Sequence, residues 1–371
     1  MKQIKFSICI PNYNYGQYLG ETIKSVLGQT YQNFEIIVSD NASKDNSVEV
    51  IKSFDDKRIR LIQNQYNIGY SGNVDKATIS ATGDFIILQL ADDLLKPDAL
   101  EEFAKLIKLH SENNEDVIVC GQVEKINNGK VIGVSGPTGG RIRSILEKQG
   151  KINVVNDKPK TEVYHGIDIF KLLMTTNFTT PGPVQATCFS KSLYDKVNGY
   201  NSPTVTIPDA SFGHKICLMN PKIIYYSKPL AYFRVHDTSF TAATNRIQNI
   251  KLLTDKYLLS LEFSNIQLES AGLSRKDLQK SFTKYWCVNN PFYYLYSGRI
   301  AKAYYYFVFG FASYPKLMLI QPKTYAIIGI FWLSPVFWML GNIYRRFLKN
   351  IFVQINTVTR YFILKLKGKN G

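Results

Sequence analysis

Phe85-Ile86-Ile87-Leu88-Gln89-Leu90-Ala91-Asp92-Asp93 is an apolar run of strand length that ends in two adjacent carboxylates. Leu94-Leu95-Lys96-Pro97 follows, and then a helical pattern, so the run reads as a buried strand with the carboxylates at its exit. Open α/β sheets bind ligands just beyond the carboxyl ends of their strands. Two carboxylates placed there call for a cation. Oxygen-only ligation suits Mg²⁺ or Mn²⁺, which joins one or two carboxylates to substrate phosphates. A plainer alternative makes Asp92 or Asp93 a cap for the helix after Pro97.

The residues before this run alternate strand and helix. Phe6-Ser7-Ile8-Cys9-Ile10 reads as a buried strand stopped by Pro11, and Leu19, Ile23, Val26 and Leu27 mark one face of a helix. Phe34 to Ser39 is a second strand, with Asp45 placed to cap the helix after it. Ile59 to Ile62 is a third, and a helix from Ser71 to Ala81 leads to the carboxylate strand. Such alternation predicts a mostly parallel sheet with helices on both faces. Its strand ends carry Tyr13 and Asn14, then Asp40, then Asp92 and Asp93. An aromatic ring, an acceptor carboxylate and a metal-binding pair on one edge suit a nucleotide diphosphate. No GxGxxG follows the first strand and no GxxxxGK[ST] occurs, which excludes a dinucleotide fingerprint and a P-loop.

Several pieces, in order, resemble the family 2 glycosyltransferases of GT-A fold. They are Ile10-Pro11-Asn12-Tyr13-Asn14, Ser25 to Tyr31, Phe34 to Ser47 with Asp40 in its centre, Asn67-Ile68-Gly69, Ala81 to Ile86, and the carboxylate stretch. The resemblance implies a Rossmann-like sheet and transfer of a sugar, with inversion, from a nucleotide-sugar, here a UDP-sugar. It implies nucleotide contacts from Pro11, Tyr13, Asp40, Asn67, Gly69 and Asp92, and a "DxD" metal element in Asp92-Asp93. The family's leading Asp of that element is Leu90 here. Further along, Asn177 to Phe189 resembles the acceptor-side segment. Asp209 takes the place of the family's catalytic base, with Pro208 where a Glu is usual. Tyr232-Phe233-Arg234-Val235-His236-Asp237-Thr238-Ser239 resembles the family's Tyr-Arg-x-His-x-x-Ser ending. Arg234 is thereby a candidate for the diphosphate or the acceptor, and His236 for the metal or the diphosphate. Taken without the family, Asp209 reads equally as an acid at a helix N-terminus.

Charge divides the chain. From Leu278 to Gly371 there is no Asp or Glu, and thirteen Lys and Arg there leave only +3 of the net +16 for the residues before them. The expected organisation is a GT-A domain over 1–244, with 1–120 as the nucleotide-sugar half and 121–244 as the acceptor half. A helical, basic, aromatic-rich region over 245–371 follows. Such a tail suits an anionic membrane surface. Its uncharged aromatic run, 324–344, argues against nucleic acid. That run is long enough to span a bilayer. Gly329, Pro335 and Gly341 interrupt it, favouring peripheral or monotopic attachment to the inner face of the cell membrane. The five scattered cysteines read as free thiols in a reducing compartment, and the N-terminus carries no signal-peptide pattern.

The expected chemistry is transfer to a hydroxyl of a glycan or lipid-linked acceptor. Two rivals remain open. A polyprenyl phosphate acceptor, already ionised, would need no base. An inactive nucleotide-sugar-binding membrane protein would explain Leu90 and Pro208.

Overall fold

β1 (Phe6–Asn12) is buried at every position, as a strand covered by helices on both faces must be. In this computed structural model, residues 3–111, 115–136, 153–155, 160–176, 180–200, 208–236 and 248–338 are described. β1 pairs in parallel with β2 (Phe34–Asp40) and β4 (Phe85–Leu88), and β2 with β3 (Ile59–Gln63). The connections are α1 (Gly16–Leu27), α2 (Ser47–Lys52) and α3 (Gly69–Ile79). This much follows the alternation in the sequence. Pro11 does not stop β1. The Cys9 carbonyl accepts from Gln89 N, so Pro11, two residues on, turns its nitrogen to that same side. There β4 has already ended at Leu88, and no ladder bond is lost.

Beyond β4 the sheet is mixed rather than mostly parallel. The later elements are β5 (Leu94–Leu95), α4 (Ala99–His110), β6 (Val117–Asn127), β7 (Lys130–Ser135), β8 (Asn153–Val155) and β9 (Thr161–His165). They continue through α5 (Gly166–Thr175), β10 (Thr187–Ser190), α6 (Lys191–Lys196), α7 (Pro208–Leu218) and β11 (Lys222–Arg234). The order is β3-β2-β1-β4-β10-β6-β11-β9-β8, with β5 on β11 and β7 on β6. β10 runs antiparallel between β4 and β6, while β11 is parallel to β6 and antiparallel to β9 and β5. Strict strand–helix alternation, which enforces parallel pairing, stops at α4. The hairpin β6–β7 then turns at Asn128 and Gly129, both at positive φ (47° and 73°), as a two-residue turn requires.

The core on one face joins Ile8, Ile10 and Val38 to Leu19 and Ile23 of α1 and Phe103 of α4. On the other face Phe189 of β10 meets Phe212 of α7 with ring centroids 5.2 Å apart. α7 lies so close to the 180–183 segment that a Cβ on Gly213 would come within 2.7 Å of Pro181 Cδ. α8 (Gln248–Glu262) backs α7, where Ser211 Oγ donates to Glu262 Oε1 (2.7 Å) and Lys215 pairs with the same carboxylate (2.9 Å). With α9 (Asn265–Ser270), the sheet unit therefore runs to Leu273, beyond the division at 244 drawn from the sequence.

The second unit, Ser274 onward with residues 175–177, is helical. α10 (Arg275–Phe282) begins with a capping box between Ser274 and Asp277. It runs through a π-helical stretch, Thr283–Asn289, into α11 (Asn290–Tyr296). α12 (Ile300–Ser313), α13 (Pro315–Leu319) and α14 (Pro322–Trp338) follow. Trp286, Tyr306, Phe307, Met318 and Ile327 form its interior. Tyr304 and Val308 of α12 and Tyr325, Ile328 and Trp332 of α14 are exposed, Trp332 by 86%. Among the described residues no helix is long and apolar enough to cross a membrane. The uncharged run 324–344 is described only to 338, and most of the loop at 133–159 lies outside the described residues.

Candidate active site

Asp40 and Asn14, two of the residues expected at the strand ends, are joined through Ser43. Asp40, 1% exposed at the end of β2, accepts from Asn12 Nδ2 (2.8 Å) and Ser43 Oγ (2.6 Å) on Oδ1 and from Ser43 N (3.0 Å) on Oδ2. Ser43 Oγ also accepts from Asn14 N (2.9 Å), and Asn14 Oδ1 accepts from Lys44 N (2.7 Å). The loops after β1 and β2 are thus stitched together. Asp45, expected to cap α2, lies one residue before its N-cap Asn46, and accepts from Ser47 N (3.1 Å) and from Gly16 N (2.8 Å) at the start of α1. Tyr13 stands at this edge, 42% exposed, with its ring open to a ligand, while Pro11 is buried behind it.

Asn67 and Gly69 form the next part of the rim. Asn67 Oδ1 accepts from Asn41 Nδ2 (2.9 Å) and Gly69 N (2.8 Å), and Gly69 sits at φ 79° with open space where a side chain would be. The positive φ explains glycine here. Below, Asn73 of α3 donates to the Asn12 and Ser39 carbonyls (3.2 and 3.0 Å).

The structure separates the two carboxylates after β4. Asp93 is turned into the protein, 1% exposed. Its Oδ1 accepts from Arg234 N (2.8 Å) and its Oδ2 from Gln185 Nε2 (3.0 Å). Burial, and then the charge of Asp92, push its carboxyl well above the usual range. With both oxygens bonded to protein, Asp93 is not placed as a metal ligand. Asp92 turns the other way and its Oδ2 lies 3.1 Å from His236 Nε2. His236 packs on the Tyr18 ring (4.5 Å) and near Tyr15 (6.2 Å). Among the described residues no group of three or more His, Cys, Asp or Glu converges. One carboxylate and one imidazole nevertheless fit a divalent ion that takes its remaining ligands from a diphosphate and water.

Arg234 is engaged in holding this turn. Its Nε donates to the Asp92 carbonyl (2.9 Å), its guanidinium pairs with Glu21 (2.6 Å), and it lies 5.1 Å from the Tyr18 ring centroid. Two of its three guanidinium nitrogens, Nε and Nη2, are thus bonded within the protein.

Asp209 stands in the first turn of α7, and Pro208 starts that helix as its ring geometry favours. The carboxylate lines a pocket with Leu88, Val184, Tyr200 and Phe212. Its Oδ1 accepts from the Tyr200 hydroxyl in a short contact and from the Tyr70 hydroxyl at 3.5 Å. Burial raises its carboxyl above the ordinary value, and the two phenols act in the opposite sense. Tyr70, 42% exposed overall, has its hydroxyl end turned inward, where burial, then Asp209 and more weakly Asp92 raise it. Tyr70 therefore touches Asp209 and feels the charge of Asp92 more weakly. The sequence reading passed over Tyr70, Tyr200, Gln185 and Tyr18. Only adjacency hinted at the first two, since Tyr70 follows Gly69 and Tyr200 follows Gly199.

The fold is shared with solved proteins. The Staphylococcus aureus TarS fragment 1–349, solved with UDP-GlcNAc, superposes with a TM-score of 0.58 over 95% of this chain and 92% of that one, at 15% identity. The mannosyltransferase PcManGT of Pyrobaculum calidifontis, solved with GDP-Man and Mn²⁺, superposes with a TM-score of 0.50 over 94% of this chain and 84% of that one, at 15% identity. At such identities the likeness establishes the fold.

Residues 7–166 match the family described as glycosyl transferase family 2, and the chain carries a domain of that family. Asp40, Asp92 and Asp93 fall inside the match, and Asp209, Arg234 and His236 outside it. Among curated relatives, the Escherichia coli UDP-Glc:alpha-D-GlcNAc-diphosphoundecaprenol beta-1,3-glucosyltransferase WfgD is 35% identical over 128 residues, 34% of this chain and 49% of that protein. Glycosyltransferase GlyG of Streptococcus pneumoniae serotype 4 is 36% identical over 116 residues, 30% of this chain and 37% of that protein. The aligned part thus spans half or less of either relative.

The two carboxylates after β4 should part company on substitution. Asp93→Ala leaves the Arg234 amide and the Gln185 side chain without their acceptor, and should lower the unfolding free energy by about 1–3 kcal/mol. Asp92→Ala removes only a rim contact and should cost about 1 kcal/mol or less. Chemical denaturation of both variants checks this.

Proposed function

We propose that the protein is an inverting glycosyltransferase that moves a sugar from a nucleotide-sugar, a UDP-sugar, to a hydroxyl of a glycan or lipid-linked acceptor. The observation that supports this reading is the Asp209 carboxylate in a largely apolar pocket, with the Tyr70 hydroxyl against it and Tyr70 itself directly after the Asn67–Gly69 rim. In this reading Asp92, beside His236, would face the diphosphate, and Asp209, in its pocket, the acceptor. Tyr13 offers a ring for the base, and Asp40 keeps one oxygen with a single bond, able to accept a base N–H.

In the transfer, the acceptor oxygen attacks the anomeric carbon while the bond from that carbon to the diphosphate oxygen breaks. The acceptor proton passes to Asp209, and the nucleoside diphosphate leaves. A carboxylate with a raised pKa in a partly apolar pocket is suited to take that proton. Asp92 and His236 would hold a divalent ion, Mg²⁺ or Mn²⁺, which would offset charge on the leaving diphosphate. Arg234 supports this by fixing the Asp92 backbone.

Asp209→Asn should lower turnover by about 10²–10⁴-fold, with affinity for UDP-sugar held within a few fold, as read by product formation and calorimetry. Turnover close to wild type would point instead to an acceptor that is already ionised, such as a polyprenyl phosphate. A wild-type protein that binds the nucleotide-sugar but forms no product with any acceptor would leave it a binding protein.

The second unit is proposed to rest on an anionic membrane, at the inner face of the cell membrane. Its exposed Tyr304, Val308, Tyr325, Ile328 and Trp332 are apolar, and its sequence from Leu278 on has no acid. Aromatic residues backed by lysines suit an interface of this kind. The full chain should co-sediment with phosphatidylglycerol vesicles, less with phosphatidylcholine vesicles and less in high salt. Trp332→Ala combined with Tyr304→Ala should weaken that binding by about tenfold.

A further inference from the structure

The two hydroxyls that reach Asp209 come from different parts of the fold and end on the same oxygen. Tyr200 follows Gly199, which sits at φ 90°, and Tyr70 stands in the first turn of α3, directly after the Asn67–Gly69 rim. Both donate to Oδ1. Among the described residues Oδ2 has no hydrogen-bond partner. The carboxylate is therefore asymmetric, with one oxygen fixed and the other open to the pocket.

α3 sets both donors. Asp75, further along the same helix, accepts from Tyr200 N (2.7 Å) on Oδ1, and the Tyr194 hydroxyl donates to that oxygen too. The rings of Tyr70 and Tyr200 meet edge to face at 6.1 Å, and Tyr200 lies 4.7 Å from Phe212 of α7. So the helix that opens at the nucleotide rim places Tyr70 directly and Tyr200 through its backbone.

We propose that Tyr200 and Tyr70 are positioning residues for Asp209. They pin Oδ1, so that Oδ2 alone faces the acceptor hydroxyl and takes its proton, and α3 ties this arrangement to the donor rim. The proposal rests on Asp209 as the base. In the proton transfer, the acceptor O–H bond breaks, an O–H bond forms on Oδ2, and the two phenols keep their protons throughout. Hydrogen bonds to a carboxylate favour its charged form, and burial disfavours it. The phenols thus offset part of what the pocket does to Asp209. Among the described residues the titratable groups facing Asp209 are these two tyrosines. Asp92 acts on Tyr70, and the other pocket residues around the carboxylate are chiefly apolar.

The test is the pH dependence of kcat for Tyr200→Phe and Tyr70→Phe in the full chain. A base must be ionised, so activity falls as pH drops through its pKa. Removing a phenol that favours ionisation should move this acid limb to higher pH. The expected shift is about one pH unit for Tyr200→Phe and less for Tyr70→Phe, with turnover restored to within a few fold of wild type on the alkaline side. Tyr70→Phe keeps the exposed ring and removes only the hydroxyl, so it remains informative if Tyr200→Phe folds poorly. A uniform fall at every pH with the limb unmoved, or no change at all, would overturn the proposal. Asp209→Asn separates the two levels. If it is inactive while the tyrosine variants keep the wild-type limb, only the positioning role fails. If Asp209→Asn turns over normally, the base assignment fails and the positioning role with it.

Discussion

The buried carboxylate of Asp93 is the constraint on which the site depends. A charged or polar group so far from water is costly unless hydrogen-bonded. Asp93 meets that need with donors from two distant places, the Arg234 amide at the end of β11 and the Gln185 side chain before β10. Three segments far apart in sequence are thereby fixed at one point. Because Asp93 faces inward, its neighbour Asp92 faces out, against His236. The arginine whose amide serves Asp93 also holds the Asp92 carbonyl with its side chain. The exit of β4 is thus set from β11.

The site has two halves built in different ways. One half is a web of short polar side chains, Asn12, Asp40, Asn41, Ser43 and Asn67, bonded to one another and to backbone at the ends of parallel strands. Such a network stiffens the loops it joins, although Asn12 Oδ1 is buried here without a hydrogen-bond partner. The other half comes from α7, held close to the 180–183 segment by the absence of a side chain at Gly213. There the polar groups are few and the surroundings apolar, so a single carboxylate dominates. A firm cradle for a charged leaving group and a drier pocket for a proton acceptor are different physical requirements, and in the proposed reading each half would meet one of them.

Much of this could be read from the chain. The strand–helix alternation to residue 110 comes from local patterns, while the joining of Asn67 and Gly69 to the loop after β2 was legible only through the family resemblance. Local patterns are what periodicity and turn chemistry report. The misreadings share a cause. Whether Pro11 ends β1 depends on which neighbour its nitrogen faces. Whether the sheet stays parallel depends on where β10 inserts. The inward turn of Asp93 and the role of Arg234 depend on a strand about 140 residues away. Each is set by pairing between distant segments, which composition and spacing do not encode. Tyr70 and Tyr200 were missed for the same reason, since neither has meaning until α3 and α7 are brought together.

The central claim is that one displacement occurs between a diphosphate held at Asp92 and an acceptor deprotonated at Asp209. The anomeric configuration of the product tests it most directly. With an α-linked UDP-sugar as donor, NMR of the purified product should show a β linkage. An α-linked product would require two displacements or a different face of attack, and would contradict the account.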